Sequence, residues 1–360
     1  MELRKLRKEE HIKTRKLWEK IFLEDTSEFL DYYYTVKTVE NEIYVMEEEG
    51  HICAMLHLNP YVMHIGGQNF PTHYIVAVAT EEKYRHRGIM RELLKKALSD
   101  MRKNGEPFTF LMPVAEQIYY PHGFRYIYKQ YQKKIEKSIE EKRKWTVSYA
   151  TEEDCEEIAL FANGILERQY EVYTERNKHY YEVLLKEQRS ERGGILLLKD
   201  NQKMIGIFPY AIGEEIEIRE PLFLRKDEES LSYVAAYLAK GEQIKVLGYG
   251  DMEKPMIMAK ILDVEKMLSC IKTKEEIYLK IQIWDTLTEA SIGCFLLEGK
   301  EKIQVKRINE TKNCVCINVG ELTSILFGME NVEKLDISVS AKEELAKIVP
   351  LTKVYLNEVV

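Results

Sequence analysis

No apolar run in this sequence approaches the roughly 20 residues that a membrane-spanning helix requires. The longest, Ile75 to Ala79 and Ile195 to Leu198, have the length of strands. The basic stretch from Met1 to Lys8 leads straight into Glu9, Glu10 and His11 and lacks the apolar core of a signal peptide. A cytoplasmic protein without a membrane span is expected. Cysteine is scarce: the six, Cys53, Cys155, Cys270, Cys294, Cys314 and Cys316, are scattered, with no CxxC pair among them and no HExxH helix elsewhere. Neither a disulfide framework nor a zinc site is supported, and no metal is expected. Cys314 and Cys316 share one face of a predicted strand and are read as small buried hydrophobes. An excess of cations is also missing. With 53 Lys and Arg against 60 Asp and Glu, the net charge is -7, the wrong mean sign for a phosphate backbone, so no nucleic-acid partner is expected.

What is present is a globular composition, 45% hydrophobic and 31% charged, too apolar for a disordered chain. At roughly 150 residues per domain, the length points to two or three domains. In the first 144 residues, short alternating segments and turns predict a β-α-β-β-β-β-α-β-α-β order. Its strands include His51 to Leu58, Tyr61 to Ile65 and Tyr74 to Ala79. From Gly88 to Met101, apolar residues recur at Met90, Leu93, Leu94, Ala97, Leu98 and Met101, the stripe of a helix with one buried face. After the basic link Glu140 to Lys144 the pattern partly repeats over 145–255, opening on a capping-box helix start at Thr151 and including a hairpin at Gly194 to Tyr210. This copy lacks the glycine and arginines of the first, which indicates a duplication whose second half is degenerate. A third unit, 256–360, reads as α+β with an extended tail.

The densest chemical signal lies where the strand Tyr74 to Ala79 ends. A loop with Lys83, Arg85, His86 and Arg87 follows, and a helix begins at Gly88. A helix amino terminus offers unpaired N–H groups and partial positive charge, and glycine lets backbone approach a diphosphate. An anion is the natural ligand, although the same cations could form a solvated helix face.

Arg85-His86-Arg87-Gly88-Ile89-Met90 resembles the R/Q-x-x-G-x-G/A pyrophosphate loop of GNAT acetyltransferases, departing at Met90, where that motif has a small residue. Leu111 to Phe124, with Tyr119-Tyr120-Pro121-His122-Gly123-Phe124, is similar to a segment of the Eis-like (enhanced intracellular survival) branch. The resemblance spans essentially the whole chain. It implies an α+β fold with two tandem GNAT-like mixed-sheet domains, 1–144 and 145–255, the second degenerate, and a sterol-carrier-like domain at 256–360. It further implies acetyl-CoA as co-substrate, held by the backbone of Val76, Ala77 and Val78, by Arg85, His86, Arg87, Gly88, Ile89, Met90 and Arg91, and by Val114 and Ala115. Strand amides at 76–78 suit the pantetheine, and the N–H of Val78 a developing oxyanion.

By the same resemblance, Tyr119 is the general acid that protonates the departing thiolate, with Tyr120 its neighbouring competitor. The carboxylate of Val360, folded back to the first domain, is the base or a relay to it through water, with Glu358 and Glu116 as fallback carboxylates. His57, His64, His73 and His122 are further relay candidates. The implied reaction is direct transfer to a primary amine of an aminoglycoside, polyamine or lysine-type acceptor, in a homohexamer. The aromatic stretch Phe22 to Tyr34 reads equally as pocket lining or as core. The competing class is a non-catalytic CoA sensor or a lipid-binding carrier acting through the C-terminal domain.

Overall fold

The computed structural model describes residues 1–135, 145–224, 228–239, 243–288, 290–310 and 312–358. The link Glu140 to Lys144 and the terminal Val359 and Val360 lie outside the described residues. The chain opens with β1 (Glu2–Lys5), α1 (Arg15–Ile21), α2 (Ser27–Thr35), β2 (Glu42–Glu48), β3 (His51–Ile65) and β4 (Gln68–Thr80). It continues through α3 (Ile89–Lys103), β5 (Phe108–Leu111), the one-turn α4 (Glu116–Tyr119) and β6 (Arg125–Ile135). The two runs predicted on either side of Asn59 and Pro60 join into the single strand β3, because Asn59 and Pro60 still pair with Tyr74 and His73 of β4. Helix α3 buries Ile89, Leu93, Leu94, Ala97, Leu98 and Met101 against β2, β3 and β4. At about 2 kcal/mol for each large aliphatic side chain fully buried, this stripe anchors the loop that precedes the helix.

The second region comprises β7 (Trp145–Tyr149), α5 (Cys155–Gln169), β8 (Val172–Thr174), α6 (Lys178–Ser190), β9 (Gly194–Asp200), β10 (Lys203–Ile212), β11 (Ile216–Arg219), β12 (Leu222–Phe223), α7 (Glu228–Ala239) and β13 (Ile244–Leu247). The capping box predicted at Thr151 is present, closed by Asp154. The third comprises β14 (Met252–Ile261), α8 (Val264–Ser269), β15 (Lys272–Asp285), β16 (Ala290–Lys302), β17 (Gln304–Ile308), β18 (Val315–Asn318), α9 (Val319–Leu326), α10 (Val339–Leu345), β19 (Ile348–Val349) and β20 (Val354–Tyr355). Among the described residues no helix is long and apolar enough to cross a membrane.

The first two regions share one mixed sheet with the path β1-β2-β3-β4-β5-β14-β6-β13-β11-β10-β9-β7. β14 lies between β5 and β6, antiparallel to both. A boundary between residues 255 and 256 therefore cuts through a strand that completes the sheet of the first region. Alternation marks a strand and its faces but not its partners. β15 to β19 form a second sheet, whose core merges with Tyr74, Phe108, Phe110 and Tyr128 of the first. The tail strand β20 pairs in parallel with β8, which in turn pairs with β3. Cys316 is exposed and Cys314 half-buried, so the reading of this pair as core does not hold: Cys316 lies in β18, at an edge of the second sheet, and Cys314 just before that strand.

Candidate active site

The site begins with a defect in the β3–β4 ladder. Met55 pairs with Ala79 and His57 with Val76, so Ala77 and Val78 oppose the single residue Leu56. Ala77 sits at φ +50°, a left-handed conformation unusual for a residue with a side chain. Such a bulge turns backbone N–H and C=O groups out of the ladder. On its other edge, β4 pairs with β5 only at Tyr74–Phe110 and Ile75–Leu111. Beyond these pairs the ladder ends, so Val76, Ala77 and Val78 have no β5 partner on that edge, and β5 runs on into the segment that carries Val114 and Ala115. Val114 is 89% exposed.

At the end of β4, Glu81 accepts from His51 Nε2 at 2.6 Å and from Lys20. These partners hold its carboxyl down to about 2, so it stays charged and fixes the loop base. Arg85 Nε bonds the Thr80 carbonyl at 3.1 Å. His86 at φ +60° and Gly88 at φ +76° bend the loop into the first turn of α3. A Cβ placed on Gly88 would meet nothing within 4 Å, so the space beside the helix start is open, as a diphosphate requires. Arg85, His86, Arg87 and Gly88 are exposed, Ile89 is buried and Met90 half-buried. Arg91 Nη2 donates to the Leu287 carbonyl at 3.0 Å.

Tyr119, at the end of α4, is 8% exposed and packs edge-on against Phe124, with ring centroids 5.8 Å apart. Burial pushes its phenol up to about 12, so it holds its proton at working pH. Tyr120 points outward, its ring 3.5 Å from the Arg125 guanidinium. Gly123 closes the following turn at φ +84°, and a Cβ there would lie 2.9 Å from Val319 Cγ1. Glycine is needed for conformation and for space.

Of the four histidines only His122 lies at this site, in the turn after Tyr119, where burial and then Lys260 and Arg91 lower it. His57 is buried beside Tyr33, and burial lowers it to about 3. His64 stacks on Tyr173, His73 bonds Glu106, and the His122 carbonyl is held by Lys260. Phe29, Tyr32, Tyr33 and Tyr34 belong to the core around Trp18, although Tyr32 also donates to Glu187 at 2.9 Å.

The tail reaches the centre of the molecule. Asn357 Oδ1 accepts from Gln130 Nε2 at 2.9 Å and from Tyr128 at 3.2 Å. Glu358 is buried, 3.5 Å from Arg176. Arg176 also pairs with Glu220 at 2.8 Å. Val360 lies outside the described residues. Glu116, the other fallback, opens α4 and is half-buried.

A cavity of about 390 Å³ lies beside this tail, with Lys37, Glu40, Tyr61, Glu187, Glu220 and Glu358 in its wall. A second, of about 250 Å³, adds Asp25, Glu191 and Glu217 and shares Glu187, Glu220 and Asn357 with the first. Burial raises Glu187 and lowers Lys37. Burial also pushes Glu220 up to about 8, opposed by Arg176 and reinforced by Glu358. Glu220 is thus raised above its ordinary 4.5, and its contribution to stability is complete below that value and lost as pH rises through about 8. Melting temperature is expected to fall between pH 5 and 9 in the native protein and to fall less in Glu220→Gln. Parallel melting curves for the two proteins would refute this.

Sequence reasoning missed Arg176, Glu187, Glu220 and Lys260. For Lys260 a signal existed, a single cation inside the apolar run Met256 to Leu262.

Residues 2–127 match the acetyltransferase (GNAT) domain family. No curated protein is significantly similar to the chain in sequence. Among solved structures, a conserved protein of unknown function from Enterococcus faecalis V583, described as a probable N-acyltransferase, aligns over 99% of both chains with TM-score 0.81 and 16% identity. A GCN5-related N-acetyltransferase from Kribbella flavida aligns over 100% of this chain and 98% of its own, with TM-score 0.79 and 13% identity. Eis1 from Mycobacterium abscessus aligns over 100% of both, with TM-score 0.71 and 14% identity. At these identities the likeness is one of fold, and the fold is a mixed α/β arrangement of the GNAT type.

Proposed function

We propose that this chain, an acyltransferase with a GNAT domain at its amino terminus, moves an acetyl group from acetyl-CoA directly to the primary amine of a cationic acceptor. The observation that carries this reading is the gap between β4 and β5. The bulge at Ala77 lies on its β4 edge, the loop into α3 at Gly88 follows β4, and α4 with Tyr119 follows β5. The thioester supplies an activated acyl group. The chain's own part is to align it and to manage charge and protons. The first-turn N–H groups of α3, with Arg85 and Arg87, suit the diphosphate, and the edge of 76–78 suits the pantetheine amides as an added strand would. Backbone N–H at the bulge, that of Val78 foremost, stabilises charge on the carbonyl oxygen. Tyr119, protonated at working pH, donates to the departing sulfur.

The carboxylates around the larger cavity favour a cationic acceptor of the aminoglycoside, polyamine or lysine type, since an acidic recess concentrates cations. The tail that ends in Val360 is read as bringing its carboxylate to accept the amine proton, directly or through water, because Asn357 and Glu358 already anchor it in the interior. Residues 145–255 are read as a degenerate GNAT-like repeat and the C-terminal residues as sterol-carrier-like.

CoA-thiol release measured with a panel of aminoglycosides, polyamines and lysine peptides tests the reading. Release is expected only with cationic amines, and to drop by about 10²-fold or more in a variant lacking Val359 and Val360. Release that survives the truncation moves the base role elsewhere. Tight acetyl-CoA binding without release for any amine would sink the enzyme reading.

A further inference from the structure

Lys260 is the least expected residue near the site. It sits in β14 between apolar neighbours and its side chain is 2% exposed, yet it carries an ammonium. A buried cation is costly unless it is paired and hydrogen-bonded. Its Nζ donates to the His122 carbonyl at 2.8 Å and meets Asp285 Oδ1 at 2.6 Å. The same carboxylate oxygen accepts from the Leu287 N–H at 2.9 Å, and the Leu287 carbonyl accepts from Arg91 at 3.0 Å. A continuous polar chain thus runs from the first turn of α3, through residues 285–287, to the turn just after Tyr119.

Arg125 also holds this turn, its Nη1 donating to the Tyr120 carbonyl at 2.9 Å and to the Phe124 carbonyl at 2.8 Å, but neither bond reaches the His122 carbonyl that Lys260 holds. The Tyr119 hydroxyl has no hydrogen-bond partner among the described residues, so its place is set by its ring packing and by the backbone of 119–123. The turn's own bonds are Gly123 N to Tyr120 O at 3.1 Å and Phe124 N to Tyr119 O at 3.4 Å, the second long. Lys260 and Val319 close around Gly123 from beneath.

We propose that Lys260 is a positioning residue for Tyr119, acting through the His122 carbonyl, and that Asp285 and Leu287 tie this strut to Arg91 so that the acyl-CoA-binding helix and the general acid share one frame. The proposal rests on the general-acid reading of Tyr119.

Two substitutions separate positioning from mere stability. Lys260→Met leaves Asp285 without its ammonium and is expected to lower both melting temperature and kcat. Lys260→Met/Asp285→Leu replaces the ion pair by apolar side chains, an exchange that is often neutral for stability. Its melting temperature is expected to recover in part, because the ion pair is gone but the His122 carbonyl and the Leu287 N–H still lack their partners, while kcat stays down about 10-fold or more with KM for acetyl-CoA within about threefold. Recovery of kcat together with melting temperature would overturn the proposal. In a Tyr119→Phe background the same pair of substitutions is expected to cost no more than about twofold further, because residues acting as a unit are not additive. Independent, multiplying losses would overturn Lys260's action through Tyr119 and leave the tyrosine's role standing. Full activity in Tyr119→Phe alone would remove the general-acid reading and the proposal with it.

Discussion

Tyr119→Phe is expected to lower kcat by about 10²- to 10³-fold with acetyl-CoA affinity almost unchanged. The substitution removes one oxygen and keeps the ring. The edge-on contact with Phe124 survives, as does the apolar surround that Tyr119 shares with Ile75, Leu111 and Met258. Because burial raises the phenol to about 12, the native enzyme should show no alkaline fall in kcat due to Tyr119 below about pH 11. The variant should differ in the height of its profile and not in the position of its limbs. Single-turnover release of CoA thiol measured from pH 6 to about 11 checks both. A rate within threefold of native would move the acid role away from Tyr119, with the exposed Tyr120 next in line.

The second large effect concerns stability. Arg176 is 1% exposed on its side chain and faces two buried carboxylates, Glu220 and Glu358. Arg176→Ala leaves both facing each other without their guanidinium, and removing one partner of a buried ion pair costs about 3–5 kcal/mol. Urea denaturation should show this as a lower midpoint with an unchanged slope. Glu358 belongs to the tail, so the loss should come with faster trimming of the last residues by carboxypeptidase. Adding Glu358→Gln to Arg176→Ala should restore part of the stability, since a carboxylate that has lost its guanidinium is then replaced by a neutral amide. A midpoint equal to the native one would show that the carboxylates are satisfied some other way.

Local signals were legible in the sequence. The strand ending at Ala79, the helix stripe Leu93, Leu94, Ala97, Leu98 and Met101, and the basic loop before Gly88 are all set by spacing within a short stretch, and the structure keeps them. The bulge at Ala77 was not legible, because an alanine at φ +50° leaves no trace in composition. Nor was the burial of Arg176 and Glu220. Charged residues are normally placed outside, and only the convergence of α6, the β11–β12 turn and the tail encloses them. The partners of β14 were not legible for a similar reason: Phe108 to Leu111 and Arg125 to Gln132 lie more than a hundred residues earlier.

That placement bears on how the chain is born. On the ribosome, β5 and β6 emerge long before the strand that belongs between them, and until residue 261 clears the exit tunnel the sheet has an open slot with unpaired edges on both sides. At about 5–20 residues per second, the amino-terminal part waits several seconds in this half-zipped state. It is therefore a natural client for chaperones that shield strand edges, and cutting the gene after residue 135 yields a sheet with a missing slat rather than a minimal enzyme.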